Sequence, residues 1–535
     1  MEVLPNGSLK KRCGYSKLGT LSDKPKAIWT GRLDGADVAL ILAGKTLYTF
    51  DFSKNSFTNT RNIGTAKDKA DFFTFDGGIY LLDGSKIYEV SHGDLRTPYG
   101  YVPLIGKDWP DSTIGAPYEP RNLLNDKGRI SYIVSENNTA FFKTDTPISS
   151  VYAVLVNGSA IDSSRYAMTA MPRTIGVSDL SVGDRVEIYF TYPSYIDMTT
   201  YNNLIASTSG VIFGGVSNSR PFLWGSKNGE IMYSARHVSQ EQYRAAKKGF
   251  PASDSLYFPT GCDFKAGDGR NAITAVSRHY DRLLMFTEDS AWMAESSDTD
   301  TENVPTLNIN SSYGAFVPKG AAVLRNNPYT ISAEGIIEWS SNTDEHDECN
   351  AKSISGPIAN KLPRDVYTSG VIFADNRANR LLVTSPSLNG IVWVWYAEPN
   401  AWVRFDLGVT VDRFFETPNG IGFASGTMLY GFDEKNYQDF GGREIIGKFK
   451  GNSTDFDKFG KKRIFSAAIS CDGEVVLDCS LDDDTTAAVS LTMSAHGHES
   501  IRRKINARRF TTLRPSITAS GSERQVIHSL KLWAG

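Results

Sequence analysis

The groups in this sequence that could do chemistry are each incomplete. Asp344-Glu345-His346-Asp347-Glu348 collects hard oxygen ligands in one stretch, but a calcium loop needs alternating ligands and a central glycine. It reads as a solvated acidic loop, and Asp482-Asp483-Asp484 reads the same way, with at most weak cation binding. His496 and His498 are two apart and share one side of a strand, yet zinc takes three or four ligands and no third is in view. Ala43-Gly44-Lys45-Thr46 has the ending of a phosphate-binding loop, but Ala39 stands where that loop needs its first glycine. The residues after it alternate as a strand, so a hairpin turn is expected.

Nucleophile elbows, paired zinc histidines with a glutamate, and Cys/His arrangements are all missing from the sequence. A glycosidase would use two carboxylates, and 60 acidic residues leave such a pair open. The Ser-x-Asp-x-Gly-x-Thr-Trp box of sialidases does not occur. The expectation is a protein that is not an enzyme and holds no cofactor or metal. A propeller that binds or cleaves glycans, such as a receptor-binding protein, is the alternative.

Two basic stretches remain, Lys458-Phe459-Gly460-Lys461-Lys462-Arg463 and Arg502-Arg503-Lys504-Ile505-Asn506-Ala507-Arg508-Arg509. The candidate interface residues are Lys461, Lys462, Arg463, Arg502, Arg503, Lys504, Arg508 and Arg509. Alternate residues of a strand share a face, so Arg502, Lys504 and Arg508 are candidates to line one surface. A solvated charged surface is the plain reading, and phosphates and acidic proteins both fit a functional one.

The elements that must position these residues alternate with period 2. Val38-Ala39-Leu40-Ile41-Leu42 and Val186-Glu187-Ile188-Tyr189-Phe190 are typical runs, bounded by Gly, Asn and Asp. The best helical stretch is short, Ser239 to Lys248. An all-β protein is expected. The N-terminus has no basic segment followed by an apolar one, so no secretory signal is expected. No apolar run reaches membrane-spanning length, so no membrane insertion is expected. The cysteines are Cys13, Cys262, Cys349, Cys471 and Cys479. Reduced thiols made in a cytosol are expected, although a hairpin would bring Cys471 to Cys479.

A longer repeat overlies the alternation: an apolar strand, a tight turn and an aromatic-rich strand. Copies run over Ala36 to Asp51, Gly77 to Ser91, Gly210 to Ser226, Arg282 to Ser296, Pro328 to Ser341, Arg380 to Tyr396 and Gly420 to Asp433. At about 45 residues per unit this is the size of a four-stranded propeller blade. The sequence therefore predicts a β-propeller of about seven blades, six to eight in range. Residues 1–26 read as an N-terminal arm, and 27–103 as the first blades. Residues 104–200 read as an inserted β-sandwich-like domain, with a hairpin on the Asn157-Gly158 turn. Residues 201–438 read as the remaining blades, and 439–535 as a basic β domain. From 440 to 535 there are 15 Lys or Arg against 11 Asp or Glu, a balance of +4. The total is −3, so residues 1–439 carry −7.

Three stretches resemble a known family. Leu4-Pro5-Asn6-Gly7-Ser8-Leu9-Lys10-Lys11-Arg12-Cys13-Gly14-Tyr15 resembles the "N-G-x-L-x-x-R-x-G" opening of tail propeller proteins of tailed bacteriophages, called tail tubular protein B, nozzle or DNA stabilisation proteins. Gly115-Ala116-Pro117-Tyr118-Glu119-Pro120-Arg121-Asn122-Leu123-Leu124 resembles their "G-x-x-Y-E-x-x-N-L-L" lead-in to an inserted domain. A mid-chain series follows their order. It includes Val211-Ile212-Phe213-Gly214-Gly215, Arg220-Pro221-Phe222-Leu223-Trp224-Gly225, Tyr257-Phe258-Pro259 and Asp281-Arg282-Leu283-Leu284-Met285-Phe286. The match covers about residues 1–300, and the chain starts closer to the first motif than such proteins often do.

The resemblance implies a structural virion protein, made in the bacterial host cytoplasm and placed in the tail. It implies a ring, usually a hexamer, that meets the portal, adaptor and other tail proteins. Double-stranded DNA would pass through without sequence-specific contact, and the genome would be retained until ejection. The −7 balance of residues 1–439 suits a weakly repelling passage, and the +4 balance of the rest suits docking onto an acidic neighbour.

Overall fold

The computed structural model describes the chain except residues 65–66, 92–93, 99, 112–117, 145, 171–172, 194–196, 215–218, 227–228, 236–255, 268, 270, 296–303, 319, 341–349, 483, 485, 496–499 and 506–508. The helical stretch expected at Ser239 to Lys248 lies outside the described residues. The chain divides into two compact units, Met1–Thr60 with Tyr313–Gly535, and Arg61–Ser312.

The first unit holds four four-stranded antiparallel sheets. In chain order the first runs Pro25–Leu33, Ala36–Ala43, Thr46–Asp51 and Ser56–Asn62, its last two residues lying past the unit boundary. The second runs Ala321–Leu324, Asn327–Ser332, Gly335–Trp339 and Ala351–Ser353. The third runs Val371–Asp375, Arg380–Thr384, Ile391–Tyr396 and Ala401–Asp406. The fourth takes Arg413–Thr417, Gly420–Ser425 and Met428–Asp433, and its outer strand is Gly14–Thr20. The leading strand Arg413–Thr417 lies beside Pro25–Leu33 and Val371–Asp375, and Val371–Asp375 lies beside Ala321–Leu324.

The second unit holds three sheets of the same kind. They are Asp71–Phe75, Gly78–Leu82, Ile87–Ser91 and Asp94–Arg96; Ser209–Phe213, Arg220–Trp224, Ile231–Tyr233 and Asp263–Phe264; and Ala275–His279, Arg282–Phe286, Ala291–Glu295 and Leu307–Asn310. Ser209–Phe213 lies beside both Asp71–Phe75 and Ala275–His279. Among the described residues there are seven sheets of four strands, neighbouring through their first strands within each unit, and they are the blades of an all-β propeller. Inner residues such as Leu40, Leu42, Leu284 and Phe286 are buried. A large side chain buried in this way contributes about 1.5–3 kcal/mol. Ala43-Gly44-Lys45-Thr46 is a hairpin turn with Gly44 at φ +58.

Between the blade ending at Arg96 and the one starting at Ser209 sits a sandwich. Its five-stranded sheet contains Leu104–Pro110, Lys127–Ile133, Arg185–Thr191, Ser150–Val156 and Ser159–Ala160. Its three-stranded sheet contains Asn138–Lys143, Thr174–Leu180 and Tyr166–Met168. Tyr132, Ile188 and Phe190 from one sheet share a core with Phe142, Ile175 and Val177 from the other. Asn157 and Gly158 both have positive φ, the requirement of the tight hairpin turn expected there.

The expected border of this insert needs correction. Asn122, Leu123 and Leu124 lie inside 104–200 but pack with the blades: Leu123 and Leu124 join Phe73, Tyr80, Leu223 and Phe258. The chain therefore leaves the sandwich after its first strand, touches the blades and returns.

The C-terminal sheet has eight strands built on one 18-residue strand, Ile464–Leu481. Its first half pairs with Val526–Ala534 and Ser500–Lys504, its second with Leu513–Ala519 and Val489–Ala495. Gly473, at φ +83, marks the change. Cys471 and Cys479 are both buried on this strand. Eight residues of strand span about 26 Å, so no hairpin brings them together. The expected N-terminal arm is likewise not separate. Glu2–Val3 and Leu9–Lys10 extend the C-terminal sheet through Val526–Ala534, and Gly14–Thr20 closes a blade.

Candidate interaction surface

The motif residues of the N-terminal segment are anchors. The Arg12 guanidinium donates to both Asp439 carboxylate oxygens, at 2.7 and 2.6 Å, and to the Asp406 carbonyl at 2.5 Å. Both side chains are buried. Gly14 lies so close to Gln438 that an added Cβ would sit 1.9 Å from its carbonyl oxygen. Gly7 turns the chain at φ +80, and Asn6 Oδ1 accepts from Ser8 N. Nearby, Arg380 donates to Glu2 at 3.1 Å and to Asp375 at 2.9 Å.

The second motif anchors the lead-in to the sandwich. Buried Glu119 accepts from the Tyr101 hydroxyl at 2.9 Å and from Leu104 N at 2.5 Å. Burial, and then the Glu119 charge, push the Tyr101 phenol up, so it stays a donor. Asn122 Nδ2 donates to the Tyr101 and Leu256 carbonyls, both at 2.9 Å, and its Oδ1 accepts from Phe258 N at 3.0 Å. Residues 115–117 of this motif lie outside the described residues.

The basic candidates separate into three groups. Ser500–Lys504 is an edge strand with Arg502 opposite Ala468 and Lys504 opposite Ser466. Across the same central strand Ala468 faces Lys531 and Ser466 faces Trp533. Directly paired residues share a face, so Arg502, Lys504, Lys531 and Trp533 form one cationic-aromatic strip. The Arg502 guanidinium lies 4.5 Å over the Trp533 ring and donates to Ser466 Oγ at 3.0 and 3.1 Å. That stack fixes the arginine flat while the ring stays 38% exposed. Arg503 pairs with Ala467 on the opposite face, Arg509 is exposed, and Arg508 lies outside the described residues.

Lys461 and Arg463 are exposed beside the strip, and Arg463 exchanges backbone hydrogen bonds with Gly535. Lys462 corrects the expectation. It is buried, and its ammonium donates to the Gly460 and Thr511 carbonyls, both at 3.1 Å. It holds the loop closed, and its charge is not presented to a partner. The loop it closes has Phe456 and Asp457 at φ +57 and +52, and carries Phe459 fully exposed between Lys458 and Lys461.

Lys531 and Trp533 were missed from sequence. Their signal is the alternation of the run Val526 to Trp533, which becomes informative only when the pairing to Ile464–Leu481 is known. The acidic run 344–348, His496, His498 and Asp483 lie outside the described residues. Asp482 Oδ1 accepts from Thr511 N at 2.6 Å and Thr512 N at 3.1 Å, a turn role. Burial pushes the Cys13 and Cys262 thiols up to about 12 and Cys479 up to about 11, far from a reactive thiolate. Among the described residues no group of three or more His, Cys, Asp or Glu is placed to hold a metal ion. Among them, too, no helix is long and apolar enough to cross a membrane.

No protein-family model and no curated protein matches the sequence. Solved structures are similar in fold. One is BBS1N in complex with ARL6DN, at 10% identity and TM-score 0.40, covering 80% of this chain and 98% of that one. Another is BamB from Moraxella catarrhalis, at 10% identity and TM-score 0.37, covering 80% and 98%. A third is the AfRom2 CNH domain, at 6% identity and TM-score 0.37, covering 78% and 99%.

Proposed function

We propose that this chain is a structural subunit of a closed homo-oligomeric ring in a bacteriophage tail. The ring extends the DNA channel, helps retain the genome and connects to the portal, adaptor and other tail proteins. It makes and breaks no bonds, and double-stranded DNA passes without base-specific contact. Six copies is the ring number implied by the resemblance.

The observation that carries this reading is the use made of the motif residues. Arg12, Gly14, Glu119 and Asn122 all hold distant segments together. A scaffold under genome pressure depends on such anchors, and the motif is therefore a signature of rigidity. The cationic-aromatic strip supports docking to an acidic neighbour. The test is purification of the chain with and without its tail neighbours, followed by mass measurement and imaging. A ring with rotational symmetry is expected. A monomer that hydrolyses or binds glycans would overturn the reading.

A further inference from the structure

The tip of the inserted sandwich is the electrostatic counterpart of the basic sheet. The chain enters and leaves the sandwich at Leu104 and Thr191. The opposite ends of the same strands are Pro110, Ile133, Val156 and Arg185. The loops there are 108–111, 133–138, 156–165 and 178–185, with six carboxylates against two arginines. Both arginines are already paired, Arg185 with Asp108 at 2.9 Å and Arg165 with Asp179 at 3.3 Å. The loops are tied to one another through side chains. Asn137 Oδ1 accepts from Val182 N at 2.9 Å, and Asn157 donates to Asp184 at 2.8 Å while accepting from Arg185 N at 2.9 Å. This rigid tip holds Ile133 and Val182 out to solvent, 42% and 58% exposed.

The far end of the C-terminal sheet has the inverse composition. Segments 455–463, 502–504 and 531–535 carry seven exposed Lys or Arg, beside the buried Lys462, against two Asp. Lys458 Nζ reaches the Ala534 carbonyl at 3.3 Å, which joins the Phe459 loop to the Trp533 strand. Exposed Phe459, Phe465 and Trp533 lie among these cations.

We infer that the acidic tip of the inserted sandwich of one copy docks onto the cationic-aromatic end of the C-terminal sheet of the next copy. Ile133 and Val182 meet the exposed aromatic rings, and the surrounding charges set register and speed encounter. The two surfaces differ, so the contact is head-to-tail, the type that closes into a ring when its rotation closes. The inference rests on the ring reading and names the acidic neighbour that the basic sheet takes.

The experiment uses two full-length variants. One reverses the cationic end (Lys461→Glu, Arg463→Glu, Lys504→Glu); the other reverses the tip (Glu136→Lys, Val182→Lys). Each alone should run as a 58.8 kDa monomer. Mixed, they hold one native pair of surfaces and one pair with its charges exchanged, so assembly should return and should weaken as salt rises. That recovery also demonstrates that both variants are folded. Variants that assemble like the parent, or a mixture that stays monomeric while the parent forms rings, overturn the inference and leave the ring reading standing. A parent chain that is monomeric at every concentration overturns both.

Discussion

Arg12 and Asp439 are 427 residues apart in sequence and meet in a buried two-point ion pair. The pair sits where the N-terminal segment passes from the C-terminal sheet, through Leu9–Lys10, to the closing blade strand Gly14–Thr20. It fastens the start of the chain to the segment that follows the last blade strand, and the guanidinium also donates to the Asp406 and Cys13 carbonyls.

Removing one partner leaves the other charge buried. Arg12→Ala or Asp439→Ala should each cost about 3–5 kcal/mol. The double variant should cost much less than the sum. Denaturant unfolding of the three variants, read as a cycle, checks the coupling.

Asn122 satisfies two buried carbonyls and one buried amide at once. Asn122→Ala strands the Phe258 amide, while the Leu256 and Tyr101 carbonyls keep Tyr101 N and Asn125 Nδ2 as donors, so it should cost about 1–3 kcal/mol. The loss should appear first as faster hydrogen exchange at Phe258, whose amide donates to the Asn122 side chain. The same contacts decide what excision of the insert would do. Deleting 106–198 would remove Asn122 to Leu124 from the blades, so it should destabilise them.

The three neighbouring cations of the basic loop should behave differently. Lys461→Ala and Arg463→Ala, at exposed positions, should change stability by no more than about 0.5 kcal/mol. Lys462→Ala strands the Gly460 and Thr511 carbonyls, so it should loosen the loop and lower the melting temperature. Charge reversal at Lys504 and Lys531, both on the strip, should weaken assembly and leave the melting temperature of the monomer unchanged.

Asp184 accepts from Ser181 N at 2.8 Å and from the Asn157 amide, and these bonds hold its carboxyl below the usual range. A depressed carboxyl stabilises above its unfolded value, about 3.9, and that contribution is lost as pH falls through the lower folded value. The tip should therefore stay ordered at pH 5 and loosen only well into acid. Amide resonances of Val182 and Gly183 followed from pH 6 to 2 would show it, and Asp184→Asn should remove the transition.

The seven repeats visible in sequence each fall on two paired strands of one blade, because alternation and tight turns are local properties. For Gly210 to Ser226 these are the first two strands, and for the other copies the central two. Long-range pairing was not legible. Nothing local in Gly14-Tyr15-Ser16-Lys17 indicates that it completes a sheet with Met428–Asp433. Lys462 looked like its neighbours because a buried lysine is rare, and only the carbonyls around its ammonium distinguish it. Arg502 and Lys504 were placed together correctly by strand parity. Lys531 and Trp533 needed the ladder to Ile464–Leu481.

The central claim is a closed ring of identical subunits, and particle mass with imaging tests it most directly. The account predicts one dominant species of about six copies of the 58.8 kDa chain, with rotational symmetry and an opening wide enough for a DNA duplex. A monomer at every concentration, alone and with tail neighbours, or an open chain of indefinite length, would contradict it.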